Sequence, residues 1–201
     1  MVDAAVQAAG SLVESDRAYQ WMTALDRAYP GDVGVLAPLI FNLITLEPGE
    51  GIYIRAGEPH AYLKGVGMEL MANSDNVLRG GLTPKHVDVP ELLRIVDVNP
   101  SPVHKVLPQP GAPAEMVYNT PAHEFQLSVI RVSSHASFMS GSDRSVEIVI
   151  CMEGKADIRD LRKGDSQPLK KGESAIIPAA VGSYEMTGRG ILYRATVGRP
   201  F

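Results

Sequence analysis

The spacing of apolar side chains changes character twice along this chain. From residue 3 to 29 it is helical. Ala18, Met22, Leu25 and Tyr29 recur at intervals of three and four and define one face. Ser11 and Glu14 have capping-box spacing, in which each side chain satisfies the other's backbone N–H. Pro30-Gly31 then stops the helix, because proline cannot continue it and glycine accepts a left-handed cap. From residue 36 the run LAPLIFNLITL, Leu36 to Leu46, is almost wholly apolar and predicts a buried strand. Glu47 to Glu50 is a turn, Gly51 to Arg55 a short strand, and His60–Leu63 and Val66–Met71 two further strands. Asn73 to Lys85 is polar, holds two adjacent glycines and reads as a loop. Val89 to Val96 reads as a short helix. Residues 99–113 hold five prolines and read as a linker or long connection. Beyond residue 124 short alternating runs recur at Phe125–Val132, Val146–Met152, Ala156–Asp160, Ser174–Ile177 and Ile191–Thr196. Their spacing predicts an antiparallel sandwich or barrel.

Composition narrows this picture without redirecting it. The 201 residues suffice for one large domain or two small ones. Hydrophobic residues at 45% and charged residues at 21% describe a folded protein rather than a disordered one. The net charge of −4 gives no basic footprint for nucleic acid, so no nucleic-acid partner is expected. A local basic cluster can still bind an anionic substrate. No run of 18 apolar residues occurs, so no membrane partner is expected. Residues 1–10 lack the basic segment of a signal peptide, and the single cysteine, Cys151, permits no intrachain disulfide. A cytoplasmic location is the corresponding expectation.

Two segments repeat. Pro48 to Tyr62 and Lys171 to Tyr184 both read G-E-x-x-x-I, followed by small-residue turns and a position that is His60 in one and Ser183 in the other. Each resembles the second motif of cupins, G-x5-P-x-G-x2-H, a family of double-stranded jelly rolls. Arg55 replaces the proline in the first copy. Ala180 and Ser183 replace the glycine and histidine in the second. Glu147 and Gly154 have the glutamate–glycine spacing of the first cupin motif, but Gly141 and Asp143 stand where its histidine pair belongs. The resemblance implies a mainly β fold, a remnant of a two-cupin protein with a short N-terminal helical segment. It places a metal-binding histidine in the first cupin and none in the second.

The neighbours of His60 carry chemistry. Tyr62 lies two residues on and would share a strand face with it. Glu69 follows, and then a polar loop with Asp75, Arg79 and Lys85. Arginine grips phosphate or carboxylate through a planar fork, and lysine acts as a point charge. Residues 48–90, and above all PHAYL and SDNVLRGGLTPK, resemble the signature region of the type I phosphomannose isomerase (mannose-6-phosphate isomerase) family; Tyr29 to Asp32 and the apolar run to Leu46 resemble it too. That family interconverts mannose 6-phosphate and fructose 6-phosphate using one zinc. The resemblance implies that His60 is a zinc ligand and Arg79 catalytic. It implies that Tyr62, Glu69, Asp75 and Lys85 bind the sugar phosphate. Isomerisation moves a proton between C1 and C2 through a cis-enediol. Zinc polarises the carbonyl, and a cation such as Arg79 stabilises the developing enediolate.

The departures from that family set further expectations. Its other zinc ligands, a Gln-x-His pair and a glutamate, come from segments with no counterpart here. No histidine precedes His60 and no Gln-x-His occurs. The chain therefore reads as the C-terminal portion of such an enzyme. Residues 1–35 would end a helical domain, 36–100 would close the first cupin and carry the active-site loop, and 101–201 would form the second, degenerate cupin. The expected partners are a small sugar phosphate and either the missing N-terminal half or a second copy of the chain. The expected cofactor is one Zn2+ per complete enzyme. On its own the chain is expected to be inactive. The alternative is a non-catalytic sugar-phosphate-binding or assembly module. A cupin dioxygenase would need two or three histidines near one site. His86, His104, His123 and His135 read as loop or strand-end residues without ligand partners, and Cys151 as a small buried hydrophobe.

Overall fold

The computed structural model describes residues 1–74 and 76–198. They divide into two compact units. One comprises residues 1–47, 54–63 and 76–103; the other comprises residues 48–53, 64–74 and 104–198.

The first unit is built on helices. The expected single helix is two, α1 (Val2–Gly10) and α2 (Arg17–Ala28). Ser11 does not open a capping box. It closes α1, its hydroxyl donating to the Ala8 carbonyl at 2.7 Å. The cap of α2 is Asp16, whose carboxylate accepts the Ala18 N–H at 2.7 Å. Helix α2 ends at Ala28, one residue before Tyr29-Pro30-Gly31, and Gly31 takes the left-handed conformation (φ +77°). The apolar run after it is not a strand. Val33–Leu39 winds as a 3-10 helix capped by Asp32, and residues 40–46 form neither helix nor strand. The 3-10 turn drives Val35 into a small core with Ala9 and Met22, and Pro38, with no N–H to give to a ladder, disfavours a central strand. Helix α3 (Val89–Ile95) matches its sequence expectation, with Asp88 accepting the Glu91 N–H.

The second unit is a jelly roll. Strand β1 (Gly51–Ile52) pairs with β2 (Lys105–Val106). It stops short of the expected Arg55. The main sheet comprises β3 (Gln109–Pro110), β4 (Glu115–Tyr118), β5 (Gln126–Val132), β6 (Phe138–Met139), β7 (Glu147–Asp160), β8 (Ser166–Lys170), β9 (Ser174–Ile177) and β10 (Tyr184–Thr196). Every pairing is antiparallel, in the order β3-β4-β5-β10-β7-β8, with β6 on β10 and β9 on β7. The fold is mainly β and antiparallel, as expected. The proline-rich stretch is not a bare linker, since β2 and β3 lie inside it.

Two long strands wrap this sheet. β7 pairs with β9 through Glu147–Ile150 and with β8 through Lys155–Arg159, so it changes partner at its middle. Gly154 makes the change possible. Its φ is +70°, and a Cβ there would lie 2.1 Å from the Arg189 carbonyl oxygen. The ladder with β10 slips one residue between Ile191 and Leu192, a bulge that adds curvature. The inward faces close a core of Ile130, Phe138, Val149, Cys151, Tyr184, Met186 and Leu192, all at most 1% exposed. Among the described residues no helix is long and apolar enough to cross a membrane.

Candidate functional site

The expected strands His60–Leu63 and Val66–Met71 are absent. Among the described residues, 53–88 contain neither helix nor strand. A strand needs a neighbour to complete its ladder, and β1 has one for only two residues. Local hydrogen bonds shape the segment instead. Arg55 forks onto Glu58 at 2.8 and 3.0 Å, and the Arg55 N–H also reaches that carboxylate. The Arg55 hydrogen bonds hold the Glu58 carboxyl below the usual carboxylate range. The Gly57 carbonyl accepts the Asp97 N–H at 2.9 Å, tying this turn to the end of α3.

His60 is exposed, and its Nδ1 lies 3.0 Å from the Glu58 carbonyl oxygen. A carbonyl only accepts, so Nδ1 carries the proton in this bond and donates it. In the neutral ring Nε2 then keeps its lone pair, the state in which an imidazole binds a metal. Tyr62 packs its ring edge-on to His60 with centroids 5.9 Å apart. The pair meets as the sequence suggests, but within an irregular segment rather than along a strand.

Arg79 and Lys85 are both exposed and flank the sharp bend Gly80-Gly81-Leu82. Gly81 has φ +124° and Leu82, unusually for a branched side chain, φ +51°. The Lys85 N–H donates to the Thr83 hydroxyl at 3.2 Å. Glu69 is exposed and falls in the other compact unit from His60, Tyr62, Arg79 and Lys85. Asp75 lies outside the described residues. Among the described residues no three histidine, cysteine, aspartate or glutamate side chains come together as a metal site. Taken alone, the described residues therefore do not fit a zinc ion, which asks for three or four protein ligands.

Around the second cupin motif lies a set of buried charged groups. After β9, Pro178 caps one 3-10 turn over Ala179–Val181. Gly182 (φ +73°) follows, and Ser183 precedes β10. Glu147, the glutamate of the first motif, is 3% exposed. It accepts the Tyr184 hydroxyl at 2.6 Å and the Arg194 guanidinium at 3.2 Å, and Arg144 stands 3.6 Å away. Arg194 also bonds Glu115 at 2.5 Å and lies over the Phe138 ring. Arg144 donates to the Gly182 and Pro178 carbonyls and covers the Tyr184 ring. Two buried carboxylates are thus matched by two guanidinium groups. Burial above all pushes the Tyr184 hydroxyl pKa far up, with Arg194 opposing and the bond to Glu147 reinforcing the shift. Sequence spacing found Glu147; the partners Arg194 and Glu115 carried no local signal.

Comparisons with known proteins show what the chain is similar to. Residues 115–197 match the family model described as mannose-6-phosphate isomerase, cupin domain. The chain is 40% identical over 188 residues to the mannose-6-phosphate isomerase of Escherichia coli (strain K12), covering 92% of this chain and 47% of that protein. It is 35% identical over 177 residues to the Bos taurus protein of that name, covering 86% and 42%. Among solved structures, the Salmonella typhimurium mannose 6-phosphate isomerase bound to fructose 6-phosphate and zinc aligns with TM-score 0.83 and 35% identity, covering 97% of this chain and 50% of that one. The chain spans about half the length of the curated relatives it matches. Along most of its own length the chain is similar to mannose-6-phosphate isomerases, and residues 115–197 match the model of that family's cupin domain.

Proposed function

We propose that this chain is the C-terminal portion of a zinc-dependent aldose–ketose isomerase that interconverts mannose 6-phosphate and fructose 6-phosphate. The observation that carries the reading is His60, whose Nδ1–H is committed to the Glu58 carbonyl so that Nε2 is available to a metal. In this reading His60 supplies one zinc ligand, and the others come from outside these 201 residues. Residues 1–35 end a helical domain, 36–100 close the first cupin and 101–201 make the second. Arg79 stabilises the negative charge that develops on the enediolate as the C2 proton leaves. Lys85 holds the phosphate as a point charge. Tyr62, Glu69 and Asp75 contact the sugar. The partner is the N-terminal half of the enzyme or a second copy of this chain, with no nucleic acid and no membrane involved, and the setting is cytoplasmic.

The absence of a three-ligand metal group among the described residues favours a second reading, a non-catalytic sugar-phosphate-binding or assembly module. Reconstitution separates the two. The chain is mixed with the separately produced N-terminal half of the Escherichia coli relative, and zinc content and coupled isomerase activity are measured. Stoichiometric zinc with turnover, both lost in His60→Ala, supports the isomerase. Phosphate-dependent sugar binding that is indifferent to zinc and to His60 supports the module.

A further inference from the structure

The loop that carries Arg79 and Lys85 is anchored at Leu82, and the residue holding it there lies 50 positions earlier. The Asp32 carboxylate uses its two oxygens for different tasks. Oδ1 accepts the Gly34 N–H at 2.7 Å and caps the 3-10 helix. Oδ2 accepts the Leu82 N–H at 2.9 Å. The Leu82 side chain packs against the helical core formed by Ala9, Met22 and Val35. Its backbone sits at φ +51°, a sparsely populated conformation for leucine that persists only where the surroundings impose it. The surroundings are tight. A Cβ on Gly34 would lie 2.9 Å from Leu82 Cγ, and one on Gly81 would lie 3.0 Å from Asp32 Oδ1. A shallow cleft of about 370 Å³ beside the anchor is lined by Ala28, Tyr29, Pro30, Asp32, Thr83 and Pro84. Arg79 and Lys85 stand three residues to either side of Leu82.

We infer that Asp32 is a positioning residue: through Leu82 it fixes the bend that sets Arg79 and Lys85 for the substrate's phosphate and developing charge. The inference rests on the proposed reading of Arg79 and Lys85. An aspartate is required because both oxygens must accept. An asparagine offers one acceptor and turns a donor toward the other N–H.

The test uses the 201-residue chain, its Asp32→Asn variant and its Gly34→Ala variant, whose added Cβ presses on both Leu82 Cγ and Asp32 Oδ1. Amide hydrogen exchange is read at Leu82 and across β5, β7 and β10. Affinity for mannose 6-phosphate is read against mannose, which lacks the phosphate. The expected result is at least a tenfold faster exchange at Leu82 in both variants, with exchange in the three strands unchanged. Affinity for mannose 6-phosphate should fall roughly three- to tenfold with thermal unfolding of the jelly roll unmoved. Unchanged exchange at Leu82 would overturn the inference. Faster exchange with unchanged affinity would also overturn it, reducing Asp32 to a structural cap. If the unaltered chain does not prefer mannose 6-phosphate to mannose, the reading of Arg79 and Lys85 falls, and the exchange data then stand as evidence of an anchor without a positioning role.

Discussion

The jelly roll and the segment from residue 39 to 103 are equally rich in apolar side chains, yet only one of them buries those side chains. In the jelly roll Ile130, Val149, Cys151, Tyr184 and Leu192 are all 0% exposed. In the other segment Ile40 is 76% exposed, Leu93 70%, Val66 95% and Val98 83%, and none of the residues of α3 is buried. The difference lies in ladder partners. β7 and β10 are paired along nearly their whole length, whereas β1 is paired for two residues and nothing extends it. An apolar pattern specifies a face; it takes a second face to make a core.

Substitutions should separate the two regions by size of effect. The largest is expected for Arg194→Ala. It leaves Glu115 buried without its cation and Glu147 with Arg144 alone, and should cost about 3–5 kcal/mol in urea unfolding of the jelly roll. Leu192→Ala removes a fully buried side chain beside the bulge and should cost about 2–5 kcal/mol. An alkaline pH dependence of smaller size should belong to the jelly roll. Burial first, and then Tyr193, raises the Tyr118 hydroxyl from 10.0 to about 12, and Tyr184 is raised further. Both shifts favour the protonated folded state. The stabilisation is therefore complete below pH 10 and is lost as pH rises through the folded values. Unfolding measured at pH 9, 10 and 11 should show the decline, and Tyr118→Phe with Tyr184→Phe should flatten it. The smallest effect is expected in the other region: Leu93→Ser should change thermal stability by less than about 0.5 kcal/mol. A loss of several kcal/mol there would mean that α3 is buried in solution and the comparison is wrong.

How much of this was legible in the sequence follows the same division. Ser174–Ile177 is a strand at the residues the alternation marks. The runs Val146–Met152 and Ala156–Asp160, two elements in the sequence reading, are one continuous strand that bends at Gly154. A glycine in a strand marks a break or a bend with the same letter, and only the partner strands decide between them. The run Leu36–Leu46 misled for a different reason: a continuous apolar stretch carries no period, and the Asp32 cap turned its first part into a 3-10 helix. At the candidate site, His60, Tyr62, Arg79 and Lys85 were legible through motif resemblance. Asp32 fell within the same resemblance, but its bond to Leu82 did not show, since it spans 50 residues and leaves no local pattern. The same holds for Arg194, whose partners Glu115 and Glu147 are 79 and 47 residues away.

Zinc retention by the 201-residue chain tests the central claim most directly, because that claim is a complete jelly roll beside an incomplete metal shell. The chain is incubated with excess zinc, dialysed, analysed for metal, and assayed for conversion of mannose 6-phosphate with zinc present. Removing most ligands from a site worth about 10–16 kcal/mol should leave little affinity. The account predicts well under one zinc per chain and no isomerisation, from a protein whose jelly roll unfolds cooperatively. One zinc held per chain through dialysis, with turnover comparable to that of a full-length relative, would contradict it.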